Sequence, residues 1–284
     1  MLITETKAIT DTLHKVVADT TSKAQDTGWI LHHILDGKVL DFSPFTMIPL
    51  PQIHLFGIDL SITRHLVFMW IAAIIMILVL RKVANSYKKS YVPKGLTNAV
   101  ETLILFVRDE IVKPNIGKGY EKFLPYLLTV FFFIFVCNFL GLIPYGATAT
   151  SNISVTATLA LFTFFITQMG GIMKNGFFGY FKGLVPHGIP FWLLPIMVVV
   201  ELLGLFTKPF ALAIRLFANM TAGHIVIYAL LGLIFILHTY FVAPVSVAFA
   251  LFIFFLEILV AVLQAYIFTM LSSLFIGMAV HQEH

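Results

Sequence analysis

The sequence predicts an all-α integral membrane protein with about five transmembrane helices and one surface amphipathic helix. The last two transmembrane helices are long, tilted and paired as an antiparallel hairpin. Three observations carry this. Hydrophobic residues make up 59% of the chain and charged residues only 11%, where soluble domains carry about a quarter charged. Mean hydropathy is +0.95. Apolar runs long enough to cross the ~30 Å hydrocarbon layer recur along the chain, and the lysines and arginines fall mostly between them.

The first 61 residues form a polar region. From Met1 to Arg64 there are seven acidic and five basic residues, and no apolar core of secretory-signal length follows the start. His32-His33 is the one metal-like pair there. Adjacent histidines point to different faces of a helix, and no further ligands stand at zinc spacing. The run Pro44-Phe-Thr-Met-Ile-Pro49-Leu-Pro51 breaks any helix.

The membrane domain is expected over 62–284, with spans near 62–80, 123–143, 153–172, 189–237 and 244–280. Arg81-Lys82 closes the first apolar stretch. Between residues 81 and 122 nine basic residues face four acidic ones. Val100, Leu103, Ile104, Val107 and Ile111 recur there at helical spacing, which predicts the amphipathic helix over about 96–112. Gly141-Leu-Ile-Pro144 ends the second span, a polar turn with Thr148, Thr150, Ser151 and Asn152 follows, and Met173-Lys174 ends the third. The fourth and fifth apolar segments exceed an upright span. Forty helical residues reach about 60 Å, twice the hydrocarbon thickness, so they tilt, bend or project, with Pro195 and Pro209 as candidate bends.

The positive-inside rule orients the chain. The basic 81–122 segment belongs in the cytoplasm, which puts the N-terminus outside and the C-terminus inside after five crossings. The same distribution argues against nucleic acid as a partner, despite a net charge of +4. The lone cysteine, Cys137, excludes an intrachain disulfide and reads as a small packing residue. Asn152-Ile-Ser and Asn219-Met-Thr match the glycosylation pattern. The second falls within a span, and both are discounted.

The chemistry lies in what interrupts the apolar segments. From residue 123 to residue 280 the only carboxylates are Glu201 and Glu257, and the cations are Lys174, Lys182, Lys208 and Arg215. The first two lysines are loop residues, and Lys208 can snorkel to an interface. An arginine in mid-span costs roughly 2.5–3.5 kcal/mol on insertion scales, and it cannot relieve that cost by losing its proton. Arg215 therefore needs partners or water. A hairpin turning near Tyr240 sets Arg215 level with Gln264 and His224 level with Glu257. Glu257 and Gln264, seven apart, share a helix face, and Glu201, Lys208, Arg215 and Asn219 follow one stripe. His224 stands nine residues beyond Arg215, about half a turn round and ~13 Å along. Two separate polar regions flanking the arginine are expected, not one continuous wire. Asn219 and Gln264 also suit simple helix-to-helix bonding. His238 reads as interfacial.

The stretch Lys208-Pro-Phe-Ala-Leu-Ala-Ile-Arg215-Leu-Phe-Ala-Asn219-Met-Thr-Ala-Gly223-His224 resembles the signature of subunit a of the F-type ATP synthase membrane sector. Leu263-Gln264-Ala-Tyr-Ile-Phe268 and the ending Met278-Ala-Val-His-Gln-Glu-His284 are similar to its last helix and C-terminus. Asn152 before an apolar span and Glu201 fourteen residues ahead of the arginine also match. The likeness covers about residues 62–284. It implies a non-catalytic, ion-conducting stator subunit in a bacterial inner membrane. It also implies that Arg215 faces a rotating ring of c subunits bearing buried carboxylates. Glu257, His224, Asn219, Gln264 and Glu201 would line two aqueous half-channels carrying H⁺ or Na⁺, and b-type peripheral stalk subunits would be neighbours. No cofactor is implied. In some bacterial relatives an acid stands at the position of His224 and a histidine at that of Glu257, so the pair is exchanged here.

Two other classes compete. A self-contained secondary transporter would show internal repeats, and none is found. A quinone- or haem-binding respiratory subunit would need paired histidines on facing helices at one depth, and the sequence offers no such pair. No Gly-x-x-x-x-Gly-Lys-Ser/Thr loop is present, so nucleotide chemistry lies on another chain.

Overall fold

The computed structural model describes residues 39–42, 46–51, 54–55, 58–59, 61–88, 92, 94–143, 146–183, 193–237 and 241–281. His32-His33, Pro44, Pro186, His238 and residues 282–284 lie outside them. Two short antiparallel hairpins come first, pairing β1 (Val39–Phe42) with β2 (Thr46–Pro49) and β3 (His54–Leu55) with β4 (Ile58–Asp59). The proline-broken segment thus yields strands, with Pro49 at the end of the ladder opposite Val39, where a missing N–H is tolerated.

The described elements after these are helical, the longer ones being α1 (Arg64–Tyr87), α2 (Leu96–Phe106), a π-helical turn (Val107–Val112), α3 (Lys113–Ile116), α4 (Leu124–Gly141), α5 (Ile153–Asn175), α6 (Phe177–Gly183), α7 (Leu194–Leu237) and α8 (Ala243–Val280). Five of these are long and apolar enough to cross a membrane. A helix satisfies its own backbone groups, which hydrocarbon cannot do. Helix α1 continues through Arg81-Lys82 to Tyr87. The basic pair does not end the helix, since both residues are good helix formers. Asn152 caps α5, its side chain accepting from the Ser154 N–H at 2.9 Å.

Helix α8 is central, packing against α7, α4, α5 and the α3 segment, while α1 leans on α4. The core joins Val107, Ile111 and Ile116 to Leu127, Phe131 and Ile134 of α4, Leu212 and Leu216 of α7, and Phe268 and Ile276 of α8. The amphipathic stripe predicted over 96–112 is therefore largely covered by the protein itself. Val100, Val107 and Ile111 are buried, and Leu103 and Ile104 pack beside them. Beside it, Arg108 forks onto Asp109 at 3.0 and 2.7 Å on the exposed side, and this bond holds the Asp109 carboxyl below its usual range.

The outer faces are apolar. Trp70, Ile74, Ile77 and Leu78 of α1 and Val199, Leu203, Phe206 and Phe210 of α7 are exposed, as suits surfaces met by lipid or by other membrane subunits. With 44 and 38 residues, α7 and α8 measure about 66 and 57 Å, against ~30 Å of hydrocarbon. Pro209 sits inside α7 without ending it, leaving the Leu205 carbonyl without its helical donor. Where α8 meets α3, Gly277 allows close approach, because a Cβ there would overlap the Asn115 carbonyl oxygen.

Candidate functional site

Helices α7 and α8 bring two polar pairs together. His224 Nδ1 lies 2.7 Å from Glu257 Oε1. The contact is close but not a well-aligned hydrogen bond. Glu257 is only 4% exposed, and an ionised carboxylate that deep is costly without a partner. Gly223 makes the room for it: a Cβ on residue 223 would come within 2.8 Å of Glu257 Oε1 and 3.1 Å of its Cδ. Gly223→Ala should therefore push the carboxylate off the imidazole at a cost of roughly 1 kcal/mol of rotamer strain, and we expect the ring-nitrogen NMR signals of His224 to shift. Nitrogen-15 NMR of labelled histidine in the variant and the parent protein checks it.

The imidazole is held from its other side as well. Its Nε2 is 2.8 Å from Thr148 Oγ1. The Thr148 carbonyl accepts from His65 Nδ1 at 3.0 Å and from Ser151 Oγ at 2.7 Å. Two residues on, Thr150 Oγ1 donates to Asn138 Oδ1 at 2.6 Å, and Asn138 Nδ2 donates to the Ala261 carbonyl of α8 at 3.2 Å. Tyr228, one turn beyond His224, lies within electrostatic reach of both Arg64 and Glu257. Five chain segments thus meet around one acid–imidazole couple.

The second pair is Asn219 Nδ2 donating to Gln264 Oε1 at 2.8 Å. Gln264 is 1% exposed and its Nε2 is buried without a partner. Gln264 thus bonds to the residue one turn beyond Arg215 on α7. Arg215 itself is exposed on the surface of α7. Among the described residues it has no hydrogen-bond or ion-pair partner. The described residues do not bury the arginine.

Glu201 lies apart from both pairs. It lines a cavity of about 430 Å³ with Gln168, Tyr180, Lys208, Pro209 and His281. Tyr180 donates to Gln168 Oε1 at 2.7 Å, and Lys208 Nζ sits 5.8 Å from the Phe275 ring centre. Since α7 runs from this cavity past Arg215 to His224, the arginine stands between two polar regions.

His65, Thr148, Asn138, Thr150 and Gly223 escaped the sequence reading. An asparagine inside an apolar run was the available signal for Asn138; Thr148 and Thr150 read only as turn residues. Two histidines meet one loop residue, His65 and His224 both bonding to Thr148, because the 146–152 loop folds back against α1 and α7. Among the described residues no cluster of three or more His, Cys, Asp or Glu could hold a metal ion.

The fold and site define a multi-pass membrane protein built around a hairpin that carries ionisable groups through an apolar bundle. The family model for the ATP synthase A chain matches residues 66–277. The chain is 60% identical over 259 residues to ATP synthase subunit a of Chloroherpeton thalassium, covering 89% of this chain and 77% of that one. It is 57% identical over 260 residues to the subunit a of Chlorobium phaeobacteroides, covering 90% and 77%. To that of Myxococcus xanthus it is 56% identical over 229 residues, covering 80% and 75%. The chain belongs to the ATP synthase A chain family, as a non-catalytic membrane subunit of the F0 sector.

Proposed function

We propose that this subunit conducts protons to and from carboxylates carried on a rotating ring of c subunits, through two half-channels that Arg215 keeps apart. The observation that supports this most is the position of Arg215. It is an exposed cation on an apolar helix face, without a partner among the described residues, between the His224–Glu257 group and the Glu201 cavity. An ionised carboxylate brought within 4 Å gains about 4 kcal/mol at an effective dielectric constant near 20. That exceeds the roughly 2.5–3.5 kcal/mol insertion cost of the arginine. A passing carboxylate therefore stabilises the guanidinium, while the fixed charge repels a proton crossing directly between the channels.

In this reading protons enter from the outer side through Glu257 and His224. Asn219 and Gln264 flank the transfer position, and the proton neutralises a ring carboxylate that then moves into lipid. After a turn, the returning carboxylate loses its proton toward the Glu201 cavity on the cytoplasmic side. The polar 1–61 region lies outside, the C-terminus inside, in a bacterial inner membrane, with b-type stalk subunits holding the stator.

Crosslinking tests the arrangement. A photoreactive residue at exposed Ala218, beside Arg215 on α7, should form an adduct with the ring subunit in the assembled complex. The same probe at exposed Trp70 on α1 should not. Adducts at Trp70 and none at Ala218 would place the ring on another face and end this reading.

A further inference from the structure

We infer that Thr148 is a positioning residue for proton transfer: its hydroxyl serves the Nε2 of His224 in both protonation states, and His65 anchors the loop that holds it there. The inference deepens the half-channel reading and rests on it.

The geometry is built from several directions. Thr148 is 1% exposed. Its carbonyl is fixed by His65 Nδ1, by Ser151 Oγ and by the Ser151 backbone N–H at 3.0 Å. Space for its side chain comes from Gly141, where a Cβ would overlap Oγ1. Thr150 and Asn138 tie the same loop to α8. The hydroxyl so placed is 2.8 Å from His224 Nε2.

Proton counting gives the hydroxyl its task. A bare nitrogen lone pair 2.7 Å from an ionised carboxylate is repulsive, so the ring carries a proton on Nδ1, facing Glu257 Oε1 off the ideal line. A neutral imidazole with Nδ1–H leaves Nε2 as an acceptor, and the Thr148 O–H then donates to it. When a proton adds to Nε2, an N–H bond forms and the ring becomes imidazolium. The hydroxyl rotates and accepts from that N–H. The Nδ1 proton can then pass to Glu257, leaving a neutral ring with Nε2–H still bonded to Thr148. A hydroxyl carries both a donor and lone pairs, so Nε2 is partnered at each stage. A methyl group there would strand it each time, and a buried unpaired polar group is costly. The charged and titratable groups around this ring are Glu257 on α8, Arg64 and His65 on α1, and Tyr228 on α7.

Thr148→Val keeps the shape and removes the hydroxyl; Thr148→Ser keeps the hydroxyl and removes a methyl. Both are measured in the assembled complex, by ATP-driven proton flux into vesicles and by nitrogen-15 NMR of labelled histidine, with the His224 signals assigned by their loss in His224→Gln. Thr148→Val should lower flux about tenfold and shift the His224 ring-nitrogen signals, while Thr148→Ser should restore both to within about twofold to threefold. Unchanged His224 signals in Thr148→Val would overturn the inference, as would shifted signals with normal flux, or a serine variant as impaired as the valine. Arg215→Ala, run alongside, reports on the half-channel reading separately.

Discussion

Replacing Arg215 with Ala should abolish ATP-driven proton pumping and proton-driven ATP synthesis, with the subunit still inserted and the complex still assembled. The last expectation follows from where the residue sits. It is exposed on α7 and makes no hydrogen bond or ion pair among the described residues, so its loss leaves no hole and no orphaned partner inside the chain. On the proposed mechanism, what is lost is the attraction for an ionised ring carboxylate, of order 4 kcal/mol, close to a thousandfold in any step it controls. The barrier between the two wet regions is lost with it, so passive proton leak through the membrane sector should rise. Arg215→Lys separates charge from shape. Lysine keeps a cation but can give up its proton when desolvated, and it lacks the planar fork. Coupling should therefore fall nearly as far as in the alanine variant. Pumping and leak assays on the same vesicles decide. Normal ATP-driven pumping in Arg215→Ala would remove the basis of the half-channel reading.

The same residue shows where sequence reasoning stops. That a permanent cation lies within an apolar segment is plain from composition, and its cost follows from solvation alone. That α7 leaves it exposed is not legible, because which face of a helix stays open depends on how the other helices pack. The hairpin pairs are a middle case. Two antiparallel helices of constant rise fix which residues share a level, and His224 does meet Glu257. In the same register Gln264 bonds to Asn219, one turn beyond Arg215, a partner that levels alone do not single out because side chains reach across a turn. The 146–152 loop was out of reach. Thr148 and His65 are separated by 83 residues, and no periodicity spans a loop. Their meeting depends on how α1 leans on α4 and how α5 starts from its Asn152 cap. The five spans, by contrast, were fixed by hydropathy, since backbone groups in hydrocarbon admit few alternatives to a helix.

Exchanging the acid and the imidazole should restore what either single change destroys. His224→Glu alone sets a second carboxyl against Glu257 at a position where the present contact is 2.7 Å. Two carboxylates that close cannot both ionise, so they share one proton and hold it. Glu257→His alone sets two imidazoles together and removes the buried acid, leaving neither ring with a counter-ion. Each single variant should lose tenfold or more of the proton flux. The double variant, His224→Glu with Glu257→His, rebuilds an acid–imidazole couple and should return to within about threefold of the original. The surroundings permit it. Thr148 Oγ1, 2.8 Å from the present ring nitrogen, can donate to a carboxylate as readily as to an imidazole, and the space over Gly223 that admits the Glu257 carboxyl suits a planar ring. Coupling between the two positions is the quantity at issue, and a double-mutant cycle isolates it. If the losses simply multiply, the two groups act independently and the couple is not one proton-handling unit; if the double variant recovers, the couple matters and its polarity along the channel does not.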